Sequence, residues 1–341
     1  MDITSQVYTY LTTAPTSHFL KRDVQIVAHW AGHDHLLWRV LCGGQEVVLK
    51  FYLDAGQARS RRQYDGQQIF ARLGLAPRPI WVDRYPEGLP RQVLIYEWLP
   101  GAALDPLNAG QMAELARSVG RVHNSDTSDV RRFSPNPINL NYLWHILRGS
   151  VAPIQQWLLN KQARELAAVF ADLATNLTAV IEAVSPLWAN TLPTPIHGDL
   201  KLENAVDSFG AVMLLDWEMF GLGDPALEVA TFLQMSQHDL DAAAQAEWLD
   251  NYLSIFDQPG LAQRIASYQR ILPFQAVCFL LDGLRQHLDQ PVEGNENAST
   301  EFAENLPFLL TTLQVTLAQA ASALQIDAPN LEDAVQALFS F

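Results

Sequence analysis

Residues 197–204 read HGDLKLEN and residues 214–218 read LLDWE. Asp199 and Asn204 lie five apart on a loop, and Asp216 ends a β-like patch, NAVDSFGAVMLLD (204–216), folded at its DSFG turn. The return of that hairpin brings two carboxylates and an amide oxygen towards one point. Oxygen ligands of this kind suit Mg²⁺, which favours one or two carboxylates plus phosphate oxygens. With one carboxylate on the metal, the other is free to orient or deprotonate a hydroxyl. Phosphoryl transfer asks for little beyond that positioning and charge neutralisation. His197 has no second His at ligand spacing, which argues against a hydrolytic metal site. Singly, Asp and Asn in a loop are more often turn formers than ligands; the ordered set carries the reading.

The elements that position these groups divide into two textures. Between residues 24 and 100, β-rich runs recur (VQIVAHW, LLWRVL, EVVLKFYL, PIWV, QVLIYEWL), with Gly43-Gly44 punctuating a hairpin. One helical segment interrupts them, roughly residues 56–73, ending at Gly74. Beyond Pro100-Gly101 the chain turns to amphipathic stretches such as AGQMAELARSVGRVHN, IQQWLLNKQARELAAVFADLATNLTAVIEAV and ENLPFLLTTLQVTLAQAASAL, with GNENAST (294–300) reading as a surface loop. The expectation is an α+β chain: residues 1–100 an antiparallel β-sheet lobe with one packed helix, residues 101–341 a mainly helical lobe.

Composition sets bounds on function. The 341 residues are 49% hydrophobic and 17% charged, enough to fold without staples. Only Cys42 and Cys278 occur, far apart, which suggests neither a disulfide framework nor a zinc site. The start lacks a secretory pattern and no run of about 18 uninterrupted apolar residues appears, so a cytoplasmic protein is expected. Of the net charge of −15, residues 1–100 carry 11 basic and 9 acidic groups, and residues 101–341 carry 11 and 28. The acidic second part disfavours nucleic acid and anionic membranes and favours a cationic or neutral partner. Oligomeric state is not readable.

HGDLKLEN followed by LLDWE resembles the catalytic loop and metal-binding motif of the aminoglycoside phosphotransferase and choline kinase-like family, relatives of the protein kinases. EVVLKFY is similar to the family's lysine-bearing strand, QVLIYEWLPG to its hinge, RSVGRVHN to the helix before the catalytic loop, and FGLGDPALEVATFL to the stretch after the metal-binding Asp. The resemblance runs in order over roughly residues 24–235 and implies the bilobal protein kinase-like fold. It also implies ATP and Mg²⁺ as cofactors. Asp199 would be the base or hydroxyl-orienting carboxylate, Asn204 and Asp216 the Mg²⁺ ligands, and Lys50 the cation on the nucleotide phosphates. Backbone groups from Glu97 to Leu99 would meet the adenine edge, with Tyr96 limiting the pocket. Lys201 would help neutralise the γ-phosphate, and His197 would brace the loop. Gly198 stands where protein kinases carry the Arg of HRD, which places the chain in the small-molecule branch.

Three positions depart from the family pattern. The nucleotide-covering segment AGHDHLLW (31–38) keeps only Gly32 and has His35 where Asn or Ser is common. Asp65 stands where a helix Glu would pair with Lys50, and Glu228 where an Asp supports the catalytic loop. The implied activity is transfer of the γ-phosphoryl group of ATP to a hydroxyl of a cationic or hydroxyl-rich small molecule, of amino alcohol or amino sugar type. Trp217, Glu218, Asp224, Asp239, Trp248 and Asp282 are the carboxylate and aromatic residues available for such an acceptor. A nucleotide-binding pseudokinase or regulatory protein is the alternative from another class, and a protein kinase a third.

Overall fold

The computed structural model describes the chain except residues 1, 16, 33, 55–57, 129, 131–132, 290–295 and 340–341, and gives only backbone for 289 and 296–305. His33 of the nucleotide-covering segment, Gly56 and Gln57 of the expected helix start, and Gly294 and Asn295 of GNENAST therefore lie outside the described residues.

The N-terminal sheet consists of β1 (Val24–Ala31), β2 (His35–Cys42), β3 (Gln45–Tyr52), β4 (Pro79–Asp83) and β5 (Val93–Glu97), in the order β1-β2-β3-β5-β4 with every pair antiparallel. The β2–β3 turn is Gly43-Gly44 with φ of 56° and 81°, the left-handed pair that a two-residue hairpin needs. Trp38, Val40, Val47, Leu49, Phe51, Val93 and Ile95 alternate onto the buried face.

The sequence reading anticipates one helix here, and the structure adds another. Helix α1 (Ile3–Thr13) is capped by Asp2, whose carboxylate accepts from Ser5 N, and it lays Val7, Tyr10 and Leu11 on the sheet. Tyr10 stacks on Trp81 at 5.7 Å and donates to Asp83 at 2.9 Å. Helix α2 (Arg59–Phe70) is the expected one; a 3₁₀ turn, Ala71–Leu73, extends it to Gly74 in the left-handed region.

Helix α3 (Ala109–His123) follows β6 (Ala102–Ala103). α4 (Leu140–Asn160) and α5 (Arg164–Val184) replace the single stretch anticipated over 154–184: Gln162 takes a left-handed φ of 60° and ends the first helix. Next come β7 (Thr194–Ile196), the hairpin β8 (Ala205–Ser208) and β9 (Ala211–Leu214), and β10 (Gly221–Gly223), which pairs with β7. The remainder is helical: α6 (Pro225–Met235), α7 (Ala242–Leu253), α8 (Leu261–Asp289), α9 (Glu296–Leu324) and α10 (Leu331–Gln336). Residues 296–300, anticipated as loop, are thus the first turns of α9.

The chain divides into two compact units. The first comprises Met1–Asn136, Pro193–Glu228 and Met235–Asp257; the second comprises Pro137–Leu192, Val229–Gln234 and Gln258–Phe341. The sheet and the HGDLKLEN hairpin therefore share one unit. In the second, α5 turns Leu166, Phe170, Leu173, Leu177 and Ile181 inward as one stripe, with Phe170 stacked on Phe274 at 5.4 Å. Arg164–Trp188 and Leu306–Leu324 are long and apolar enough to cross a membrane by length and composition.

Candidate active site

The HGDLKLEN loop is held from beneath by a buried carboxylate. Glu228, on the first turn of α6, accepts from Gly198 N at 2.5 Å and His197 N at 3.2 Å. It also meets His123 Nε2 at 2.8 Å, and His123 Nδ1 meets the Tyr252 hydroxyl at 2.7 Å. Burial alone would raise the Glu228 pKa. The His123 bond and the other donors outweigh it and leave the group below its ordinary value. The extra methylene relative to Asp is accommodated, and Glu228 makes the bracing contacts that the family pattern implies for this position.

His197 is likewise structural. Its Nε2 donates to the Leu215 carbonyl at 2.6 Å, and its Nδ1 accepts from Asp199 N at 3.3 Å, so the partners fix the tautomer. The ring lies 4.6 Å from Trp217, which stacks on Phe70 at 4.5 Å. The loop is thereby locked to the start of the LLDWE segment.

Gly198 carries a constraint beyond the missing Arg. Its φ is 87°, and a Cβ there would sit 2.2 Å from the Met219 carbonyl oxygen. Gly210, at φ 85° in the DSFG turn, has nothing within 4 Å of such a Cβ. Gly210→Ala is expected to lose about 1–2 kcal/mol for φ alone. Gly198→Ala is expected to lose more, because backbone must also move; thermal unfolding of the two variants side by side checks the difference.

Asp199 stands at the loop's open side. Its Oδ2 accepts from Asn204 Nδ2 at 2.9 Å and from Lys201 Nζ at 2.9 Å. Partial burial opposes the charge on Lys201, but the bond to Asp199 raises its pKa. Asn204 Nδ2 also donates to the Asp199 carbonyl at 2.8 Å, which leaves Asn204 Oδ1 as the atom that could face a cation. Leu215 N donates to the Asn204 carbonyl at 2.7 Å, so the hairpin delivers Asp216 next to this amide.

Asp216 adopts φ 56° and ψ 57° and pairs with Lys50, whose side chain is 2% exposed. Lys50 Nζ also lies 2.9 Å from Glu218 Oε2. Burial would raise the Asp216 pKa, but the Lys50 charge and hydrogen bond reverse the sign and keep it low. The donor set of Asn204 Oδ1, Asp216 and Glu218 is all hard oxygen and fits Mg²⁺. Among the described residues His35, Asp216 and Glu218 also offer ligand atoms within 4.8 Å of one another. Burial, then the Lys50 charge, lowers the His35 pKa.

The anticipated Lys50–Asp65 pair is not formed. Asp65 bonds Arg61 one turn back on α2 at 3.0 Å, the i,i+4 geometry that a short side chain satisfies most easily. Lys50 takes its carboxylates from residues 216 and 218 instead. Helix α2 presents cations here: Arg59 Nη1 reaches Glu218 Oε1 at 3.2 Å, and Arg62 Nε donates to the Glu218 carbonyl at 2.9 Å. Sequence reasoning placed Glu218 on the acceptor side and passed over both arginines. The signal was RSRR (59–62), which puts Arg59 and Arg62 on one helix face.

Gly32 lies in the β1–β2 turn beneath the His35 ring, where a Cβ would meet Nε2 at 2.7 Å. At the hinge, Glu97 N donates to the Arg78 carbonyl and Trp98 N to the Glu46 carbonyl, so these two amides are spent within the sheet. The Glu97 side chain accepts from Arg78 N at 2.7 Å. Leu99 follows β5 without regular secondary structure before Pro100. Burial, then the Asp216 charge, raises the Tyr96 phenol well above its usual range. Trp217 is 0% exposed and belongs to the core, whereas Trp248, 1% exposed, lines a cavity of about 410 Å³ together with Asp239 and Glu247. Asp224 caps α6 by accepting from Ala226 N, and Asp282 pairs with Arg285 at 2.7 Å.

The sequence model of the phosphotransferase enzyme family (APH) matches residues 25–264, a span that takes in Lys50, the catalytic loop and Glu228. The chain belongs to this family. An uncharacterized protein of Synechocystis sp., sll1119, is 28% identical to this chain over 176 residues, which is 50% of this chain and 46% of that protein. The chain thus matches about half the length of this relative. A choline/ethanolamine kinase family protein from Mesorhizobium loti shares the fold with a TM-score of 0.59 at 16% identity, covering 99% of both chains. An aminoglycoside phosphotransferase from Alicyclobacillus acidocaldarius gives 0.58 at 15% identity, over 93% of this chain and 94% of that one. A thermostable mutant of the aminoglycoside phosphotransferase APH(4)-Ia, in ternary complex with ADP and hygromycin B, gives 0.53 at 16% identity over 89% and 93%.

Proposed function

We propose that this phosphotransferase is a cytoplasmic kinase that moves the γ-phosphoryl group of ATP, with Mg²⁺, to a hydroxyl of a small molecule. Residues 1–100 would serve as its nucleotide-binding lobe and residues 101–341 as the lobe carrying the catalytic loop and acceptor site. The observation that carries the reading is the joint arrangement of Lys50, Asp199, Asn204 and Asp216: one carboxylate is neutralised by a buried lysine, the other is tied to an amide and a partly exposed lysine at the open side. A neighbour of the same fold holding ADP and hygromycin B supports the use of a nucleotide together with a small molecule.

In this reading Lys50 turns from its carboxylates to the phosphates when nucleotide enters. Asn204, Asp216 and Glu218 would hold Mg²⁺, which would supply charge neutralisation for the phosphates. Asp199 orients the acceptor hydroxyl and takes its proton as that oxygen bonds the γ-phosphorus and the bond to the β-phosphate oxygen breaks, releasing ADP. Lys201 spreads charge from the transferring oxygens. The acceptor is of amino alcohol or amino sugar type, recognised by exposed carboxylates; nucleic acid and membranes are not partners.

Asp216→Ala is expected to abolish the Mg²⁺-dependent part of nucleotide affinity. Calorimetric titration of ADP with and without Mg²⁺ checks this, and identical behaviour of wild type and variant would contradict the metal assignment. Thermal stabilisation by Mg-ATP without transfer to any hydroxyl compound would instead select the pseudokinase, and labelling of protein substrates alone would select a protein kinase.

A further inference from the structure

The ionic network around Lys50 has its charges exchanged between two elements. In the pattern this chain resembles, the helix beside the sheet supplies the carboxylate that holds the lysine. Here that helix, α2, supplies Arg59 and Arg62, and the carboxylate comes from Glu218, two residues after Asp216. Glu218 divides its oxygens, Oε2 to Lys50 at 2.9 Å and Oε1 to Arg59 at 3.2 Å, while its backbone carbonyl is fixed by Arg62 at 2.9 Å. The same Arg59 Nη1 reaches Asp34 Oδ2 at 2.9 Å. Asp34 lies in the β1–β2 turn between Gly32 and His35, and its carbonyl accepts from Leu53 N at 2.9 Å. Apolar contact clamps α2 to the same segment: Gly66 lies against Phe220, where a Cβ would come within 3.0 Å of the ring, and Phe70 stacks on Trp217.

We propose that Arg59 is a positioning residue that couples the nucleotide-covering turn, through Asp34, to the Lys50-holding carboxylate of Glu218. One guanidinium, its side chain 16% exposed, ties together two segments that would otherwise move separately. Asp34 is the more exposed partner at 48%. Arg59 touches no reacting atom in this assignment; it sets the distance between the covering turn and Lys50.

The proposal rests on the nucleotide-binding reading above, and binding, without any acceptor, is the readout that separates the two. A fluorescent ADP analogue with Mg²⁺ is titrated into wild type, Arg59→Ala, Arg59→Lys, Asp34→Asn and the Arg59→Ala/Asp34→Asn double variant, with thermal unfolding in parallel. Arg59→Ala is expected to weaken binding about tenfold, the scale of one charge-assisted hydrogen bond. Arg59→Lys should restore part of it, and the double variant should bind no worse than the weaker single. Unchanged affinity in a folded Arg59→Ala protein, or in Asp34→Asn should the former not fold, overturns the coupling, as do fully additive losses. Absence of nucleotide binding by the wild type overturns the function reading and this proposal with it.

Discussion

Asp199→Ala is expected to lower the rate of the proposed phosphoryl transfer by about 10²–10⁴-fold, the range of a positioned acid–base group, while Mg-nucleotide affinity stays within a few-fold of wild type. The separation follows from where the carboxylate sits. Asp199 Oδ2 is bonded to Asn204 and Lys201, at the open side of the loop, whereas Lys50 is bonded to Asp216 and Glu218. Removing Asp199 deprives Asn204 Nδ2 of one of its two acceptors but leaves the bond to the Asp199 backbone carbonyl. The amide therefore keeps its place, and the loss falls on kcat. Single-turnover kinetics with ATP in excess measures it; turnover within tenfold of wild type would remove Asp199 from the reaction.

Glu228→Ala is expected to cost about 3–5 kcal/mol of stability, the scale for deleting one partner of a buried charged network. The carboxylate is 6% exposed and is the shared acceptor for His197 N, Gly198 N and the His123 ring. Its removal orphans buried donors under the catalytic loop, so activity falls with stability. The pH response carries a sign. The folded-state pKa of Glu228 lies below the unfolded value of about 4.5. Its stabilising contribution is therefore complete above that unfolded value and drains away as pH falls through the lower folded one. Glu228→Gln should flatten stability against pH below about 4.5, which chemical denaturation at a series of acidic pH values would show.

The site was legible where its geometry is local. Asp199, Asn204 and Asp216 are joined by one hairpin whose DSFG turn, with Phe209 and Gly210 at φ 58° and 85°, is written in the sequence. The Gly43-Gly44 hairpin and the Gly74 helix stop were legible for the same reason. Partnership across elements was not. Asp65 and Arg61 share a helix face, and nothing in the order of residues says that α2 turns Arg59 towards Glu218 instead. On a helix, such charges look like a solvated surface until a second element closes over them. Trp217 misled in the opposite sense: next to carboxylates it resembles a cation site, but burial makes it core. Helix α1 carried its signal in Asp2, Val7, Tyr10 and Leu11, an N-cap and an apolar stripe. The break at Gln162 has no such signature, since the left-handed residue is neither Gly nor Asn.

The central claim is that these groups move a phosphoryl group to a hydroxyl. Its most direct test is ATP consumption by the purified chain with Mg²⁺ over a panel of amino alcohols, amino sugars, neutral sugars and vitamins, with Asp199→Ala as control. The account predicts consumption above the acceptor-free rate with at least one hydroxyl compound, one phosphorylated product per ADP formed, and loss of both in the control. Mg-ATP binding without transfer to any member of the panel, or transfer that survives in Asp199→Ala, would contradict it.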